Sequence, residues 1–274
     1  MAKSSKIEWT HHTFNPWWGC TKVSPGCKHC YAQTWSKRVG YAIWGHKAER
    51  RFFSDTHWRG PIKWNKEAEL AGERRRVFCA SMADVFERRA ELNPVRDRLW
   101  ALIEATPWLD WLLLTKRPQN FKTYLPWDKA PPNVWLGTTA ETQRFFDERI
   151  DNLLSVDAKV HFLSCEPLLG ALDISHYSDA GIDWVIAGGE SGAGARPMNP
   201  EWASQLRDQC LEANIPFHFK QWGHWSPLRP VEGKRIKTID LTNEDDSIVT
   251  MFGLGKGNAG RSLEGETWDG FPLQ

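Results

Sequence analysis

The 274-residue chain carries 35 basic and 34 acidic residues, a formal net charge of +1, so no global field draws it to nucleic acid or to an anionic membrane, and such a partner has to be met by a local patch. No stretch approaches the roughly 18 apolar residues of a membrane span, and the opening MAKSSKIEWT holds no apolar run of signal-peptide length, which predicts a cytoplasmic protein with no membrane partner. Six cysteines are too sparse for a disulfide scaffold, and the length suits one large α/β domain or two small ones.

A first strand is expected near 12–18, just ahead of Cys20, Cys27 and Cys30. Short apolar runs then recur at 77–81 (VFCAS), 110–115 (DWLLLT), 133–139 (NVWLGTT), 159–166 (KVHFLSCE), 183–190 (DWVIAGGE) and 216–222 (PFHFKQW), each closing on polar, small or charged residues. Segments of helical character lie between them at 94–106, 141–154 and 200–213. Asn93 and Asn199 stand before Pro94 and Pro200 as N-caps before a first-turn proline, and Glu141 suits the positive start of its helix. Strands alternating with helices predict βαβ units and a parallel sheet. Seven strands fit an α/β fold of the partial or full (β/α) TIM-like barrel type. Residues 226–265 are polar and Gly-rich and read as a variable loop or appended hairpin, and the tail GETWDGFPLQ supplies aromatics that dock back. The expected division is a barrel domain over 1–225, with an N-terminal cluster-binding loop, and a C-terminal extension over 226–274 packed on the same domain.

In barrels and open α/β sheets, sites form at the carboxyl ends of the strands. Those ends carry Ser81 and Asp84; Thr115, Lys116 and Arg117; Thr138, Thr139 and Glu141; Ser164 and Glu166; Gly188, Gly189 and Glu190; Lys220 and Gln221. The cysteine cluster also follows a predicted strand and so joins the same rim. The cations of Thr115-Lys116-Arg117 could hold a phosphate, with a carboxylate such as Glu141 or Glu166 as the competing partner. Seventeen tryptophans are read mostly as packing, with stacking on a flat ligand such as a nucleobase as the lesser use. Cys79, Cys165 and Cys210 stand alone in apolar or mixed context and read as core residues.

Cys20, Cys27 and Cys30 form a C-x6-C-x2-C pattern in GCTKVSPGCKHCYA, where Pro25 and Gly26 can turn the chain before the second ligand. Three thiolates bind three irons of a [4Fe–4S] cluster and leave the fourth open. The open iron can take the amino and carboxylate groups of S-adenosylmethionine (SAM), whose reductive cleavage releases a 5′-deoxyadenosyl radical. The rival is structural zinc, closed by His29, His11, His12 or His46 as fourth ligand. Both readings stay open on spacing alone, and an iron–sulfur redox sensor is a third. Gly188-Gly189-Glu190 looks like the element with which many radical enzymes hold the amino group of SAM, although it follows a later strand here; its glycines could equally let a ligand approach while Glu190 faces substrate. By strand order Ser81 and Asp84 suit the methionyl end of SAM, Thr138, Thr139 and Glu141 the ribose, and His29 the adenine. There is no G-x-S-x-G and no G-x4-G-K-[ST], so a serine hydrolase and a P-loop nucleotidase find no support; the loop GESGAGARP at 189–197 reads as a flexible active-site loop.

Taken together, KIEWTHHTFNPWWGCTKVSPGCKHCYA, SMADVF, LLLTKRP, NVWLGTTAE, HFLSCEPLLG, DWVIAGGESGAGARPM, PFHFKQWG and LEGETWDGFP resemble a phage-associated three-cysteine-motif family of undetermined function. That family occurs in bacteriophage and bacterial genomes and is akin to radical SAM proteins, with some likeness to spore photoproduct lyase. The resemblance implies a partial barrel of radical SAM type, a [4Fe–4S] cluster on Cys20, Cys27 and Cys30, and SAM as cofactor or cosubstrate; on strand order and residue chemistry the expected cofactor contacts are His29, Ser81, Asp84, Thr115, Thr138, Thr139, Glu141, Gly188 and Gly189, and the expected catalytic residues Lys116, Arg117, Glu166 and Glu190. The resemblance names no substrate; the phage association, the many indole rings and the Thr115-Lys116-Arg117 step suggest a nucleotide, nucleic acid or modified base, and the expected electron donor is of flavodoxin or ferredoxin type. The alternative is a zinc-stabilised nucleic-acid-binding or adaptor protein without catalysis.

Overall fold

The computed structural model describes residues 4–177, 181–229 and 236–272. Its elements are β1 (His12–Thr13), α1 (Tyr31–Arg38), α2 (Asp55–Ala71), β2 (Arg75–Cys79), α3 (Asn93–Glu104), β3 (Leu109–Thr115), α4 (Phe121–Tyr124), β4 (Val134–Thr139), α5 (Gln143–Leu154), β5 (Val160–Cys165), β6 (Trp184–Gly188), α6 (Pro200–Glu212) and β7 (Phe217–Gln221). After these come β8 (Trp225–Ser226), β9 (Thr238–Thr242), β10 (Ile248–Gly253) and α7 (Lys256–Ala259). The seven strands follow one another in the sheet in sequence order. The registered pairs β1/β2, β2/β3, β3/β4, β5/β6 and β6/β7 are parallel, the topology of a partial (β/α) barrel. Every residue of β4, β5 and β6 is buried, as expected of parallel strands covered on both faces.

The chain divides into two compact units, one of Met1–Ser24, Ala32–Thr138 and Arg149–His161, the other of Pro25–Tyr31, Thr139–Glu148 and Phe162–Gln274. In the first, Trp9, Phe14, Trp17, Trp111 and Trp135 are buried, and Phe14 meets Trp111 edge-on at 5.7 Å, a favoured ring geometry. In the second, Trp184 packs on Phe162 at 5.8 Å and on Phe271 at 5.3 Å. There Trp268 O accepts from Phe219 N, Phe217 O from Gly270 N, and Gly270 O from Trp184 Nε1, which lays the tail antiparallel along β7. Cys79, Cys165 and Cys210 are buried, and burial holds their thiols above the ordinary range. The strand order β8-β10-β9 forms a small antiparallel sheet, with β9 and β10 within 226–265 and β8 beginning at Trp225; residues 230–235 lie outside the described residues. Among the described residues no helix is long and apolar enough to cross a membrane.

Four local expectations are corrected. The first strand is two residues long, because Asn15 turns away to accept from Met82 N (2.6 Å) and donate to Ser81 Oγ (3.0 Å), and Pro16 brings no N–H to a ladder. Asn93 is the first residue of α3 and no cap; its Oδ1 accepts from Nη1 of the buried Arg96 at 2.6 Å. Glu141 precedes α5 and is buried, with its carbonyl accepting from Leu169 N. Helix α2 lies outside the expected helical segments; it forms despite the internal Gly60-Pro61 because Trp58, Pro61, Trp64, Asn65 and Ala68 make one buried stripe and Gly72 closes it at φ +66°.

Asn199 does cap α6, its side chain accepting from Glu201 N at 3.0 Å. Asn199→Ala is therefore expected to lower stability by about 1 to 2 kcal/mol, read as a shift of the urea midpoint without a change of slope.

Candidate functional site

Within the first unit the residues around Cys20 converge on Thr21. Gly19 turns the chain into them at φ +111°, where a Cβ would run into the Ile43 carbonyl, so glycine is required. Arg50 donates through Nη2 to Thr21 Oγ1 (3.0 Å) and Arg117 through Nη2 to Thr21 O (2.6 Å). Each guanidinium has its own buried carboxylate. Arg50 meets Glu87 in a fork at 2.9 and 2.7 Å and also donates to the carbonyls of Ile43, Gly45 and Ala48. Arg117 Nη1 meets Asp84 Oδ2 at 2.7 Å and lies 3.8 Å from Cys20 Sγ. Burial alone would lower the Arg117 pKa, but Asp84, Cys20 and Glu87 together outweigh it and hold the cation firmly charged. Burial pushes the Cys20 thiol up to about 12 and Asp84 adds to the rise, while Arg117 opposes both. An iron or other metal binding there would have to displace that proton.

These contacts give two predicted residues a different task. Asp84, expected at the methionyl end of SAM, accepts from Thr115 Oγ1 (2.7 Å), Lys116 N (3.2 Å) and Phe86 N (3.0 Å) as well as from Arg117. Arg117, expected to reach a phosphate, is 7% exposed and turned inward. Thr115 Oγ1 also accepts from Arg117 N (2.9 Å), and Thr138 Oγ1 donates to Thr115 O (3.0 Å). Lys116 is half-buried and Ser81 is held by Asn15.

The second unit gathers another set. The loop carrying Cys27, His29 and Cys30 lies against Glu141, because a Cβ on Gly26 would run into that carboxylate, and against Gly194, where a Cβ would stand 3.0 Å from His29 Cε1. Arg196 Nη2 donates to Pro25 O at 3.0 Å. The same Arg196 clamps Glu190 through N and Nε at 2.9 Å and Nη2 at 2.6 Å. Burial would raise the Glu190 pKa, but the Arg196 hydrogen bonds outweigh it and hold it below the usual value. The loop expected to be flexible is thus tied down by Arg196, and at Ser191 by a bond from Gln221 Nε2 (2.9 Å). Glu166 pairs with Lys220 Nζ at 2.8 Å. Gly188 and Gly189 are demanded by the protein's own packing: a Cβ would stand 2.9 Å from Glu166 Oε1 at the first and would run into the Trp222 carbonyl at the second. Thr139 is buried at the end of β4.

None of the six cysteines forms a disulfide; Cys20, Cys27 and Cys30 are half-buried and the other three are buried. Among the described residues no three His, Cys, Asp or Glu side chains are gathered to hold a single metal ion. Of the histidines considered for zinc, His11 accepts from Arg76 N through Nδ1 at 2.9 Å, with burial and then Arg76 pushing its pKa down to about 4. His12 is buried and stacked on Trp64 at 4.4 Å. Both have tasks in packing. Thiolates are the ligands that iron–sulfur clusters take, and Cys20, Cys27 and Cys30 are the cysteines not fully buried.

A family model described as "Protein of unknown function (DUF5131)" matches residues 4–272. The chain belongs to the DUF5131 family. No curated protein matches it. Solved structures similar to this DUF5131 chain include a singly substituted spore photoproduct lyase, 13% identical with a TM-score of 0.45, covering 92% of this chain and 70% of that one. A doubly substituted form with bound AdoMet and dinucleoside spore photoproduct gives the same figures. Spore photoproduct lyase complexed with dinucleoside spore photoproduct matches at 13% identity and a TM-score of 0.47, with the same coverage.

Sequence reasoning missed Thr21, Arg50, Glu87 and Arg196. The first three carry no local signal, since Arg50 meets Glu87 across 37 positions and Thr21 across 29; Arg196 could have been noticed as the cation within the glycine-rich loop that follows Glu190. The side chains of Arg50 and Glu87 are 0% and 4% exposed. Arg50→Met, which leaves Glu87 buried without its cation, is expected to cost about 3 to 5 kcal/mol, whereas Arg59→Met, at an exposed position, should change stability by less than about 0.5 kcal/mol. Denaturant midpoints of the two variants check this.

Proposed function

We propose that this protein is a radical SAM enzyme that holds a [4Fe–4S] cluster on Cys20, Cys27 and Cys30 and acts on a nucleotide, nucleic acid or modified base. The observation that carries the reading is the contrast among the six cysteines: the three within eleven residues are only half-buried and the three elsewhere are sealed in the core. When bound, such a cluster with an open iron supplies reductive cleavage of SAM and a 5′-deoxyadenosyl radical. A flavodoxin- or ferredoxin-type donor would provide the electron, in the cytoplasm of a bacterium or a phage-infected host.

The chain's own residues then take the following roles. Arg117, anchored by Asp84, is a positioning residue for Cys20, and its N–H partly compensates the negative sulfur. Lys116 is assigned to a substrate phosphate. Ser81, Thr115, Thr138, Thr139 and Glu141 line the cofactor's place by strand order, with His29 at the adenine. Gly188 and Gly189 give the backbone its close approach, and Glu190 and Glu166, held by Arg196 and Lys220, face the substrate as fixed carboxylates.

The test is anaerobic reconstitution with iron and sulfide, then reduction with dithionite in the presence of SAM. The wild-type chain is expected to take up about four irons and to form 5′-deoxyadenosine by chromatography, and Cys20→Ala, Cys27→Ala and Cys30→Ala each to lose both. Uptake of one zinc with no iron, or product formation unchanged in all three variants, contradicts the reading. Arg117→Gln removes a hydrogen-bond donor from a ligating sulfur and is expected to make the cluster harder to reduce, seen as a more negative midpoint in a redox titration.

A further inference from the structure

Helix α1 leaves most of itself to solvent: of its eight residues only Ala32 and Ser36 are buried. Trp35 is 41% exposed, Val39 just past the helix end is 42% exposed, and Lys37 and Arg38 are exposed in its last turn. The indole of Trp35 is fixed edge-on against Trp18 at 4.9 Å and 89°. Trp18 in turn meets Phe53 at 5.2 Å and Tyr41 at 6.2 Å. The Arg51 guanidinium stands over all three rings, 4.5 Å from Trp18, 4.5 Å from Tyr41 and 5.1 Å from Phe53. The backbone of 36–41 closes on the same cluster, with Ser36 O accepting from Tyr41 N and Ser36 Oγ donating to Tyr41 O. Residues 32–63 hold seven basic side chains against two acidic ones in a chain whose net charge is +1.

A large ring held rigid by its neighbours yet open on one side, with two exposed cations two and three positions further along the same helix, is the arrangement that stacks a base and neutralises the phosphates beside it. Arg51 is held in its aromatic box and adds a fixed positive charge behind the ring. The charge of the segment favours a polyanion over an apolar partner, and the stacking face favours unpaired bases over a duplex.

We propose that the exposed C-terminal end of α1 binds single-stranded nucleic acid, with a base on the Trp35 indole and backbone phosphates on Arg38, three positions on along the same side of the helix, and on Lys37 beside it. This deepens the nucleic-acid part of the function above and is independent of the cluster.

The test is fluorescence anisotropy of a labelled oligothymidylate of about 12 nucleotides with the full chain, metal-free and reconstituted, over about 50 to 200 mM salt. The wild type is expected to bind with an affinity that falls with salt. Trp35→Ala should weaken binding about tenfold or more, and Trp35→Phe, which restores a stacking ring, should stay within about threefold of wild type. Lys37→Gln/Arg38→Gln should reduce the slope of log affinity against log salt by about 1.4, two phosphate contacts on a single strand. Lys159→Gln/Lys256→Gln, exposed cations elsewhere, should bind as wild type, and circular dichroism melts confirm that each variant is folded. No binding by the wild type at low salt, or wild-type affinity and slope in folded Trp35→Ala and Lys37→Gln/Arg38→Gln, overturns the proposal. Failure of the cluster chemistry would leave this binding intact in the metal-free chain, so the two readings fall separately.

Discussion

Two buried arginines meet at one threonine. Arg50 takes the Thr21 hydroxyl and Arg117 its carbonyl, and each cation is neutralised by a carboxylate from the turn after β2, Glu87 for the first and Asp84 for the second. The arrangement removes two charges from water only because each is paired and multiply hydrogen-bonded, and losing one partner would strand the other. Its consequence is local rigidity: the residue after Cys20 is held from both sides, Gly19 before it cannot be any other residue, and Cys20 itself sits beside a guanidinium. Arginine is suited to this in a way lysine is not, since a planar fork can hold a carboxylate and a carbonyl at once.

The second unit uses the same device on a smaller scale. Arg196 holds Glu190 with three donors and also reaches the carbonyl of Pro25, so the glycine-rich loop and the segment before Cys27 share one anchor. Gly26, Gly188 and Gly189 are fixed by what a side chain would strike, and in each case the obstacle is the protein itself. A polar framework this fully satisfied holds the side chains on it in one geometry.

The strands were legible because buried parallel strands are apolar on both faces and end in polar loops; β3, β4 and β5 are found within a residue of their expected bounds. The Asn199 cap was legible for the same local reason. What the sequence hid depends on distant partners. Asn15 ends the first strand through Ser81 and Met82, and Asn93 gives up a capping role to serve a buried arginine. Helix α2 survives an internal Gly-Pro because its indoles are buried. Of the site, the cysteine spacing was plain to read, and Asp84, Thr115 and Arg117 were singled out together, but as separate ligands. That they bond to one another, with Arg117 facing the cysteine and not the solvent, follows from pairings no local pattern announces.

The central claim is that Cys20, Cys27 and Cys30 hold a cluster whose open iron takes SAM, and electron paramagnetic resonance of the anaerobically reconstituted, reduced protein tests it most directly. The account predicts a reduced-cluster signal whose shape changes when SAM is added. A protein that shows no such signal, or a signal that SAM leaves unaltered, would contradict it.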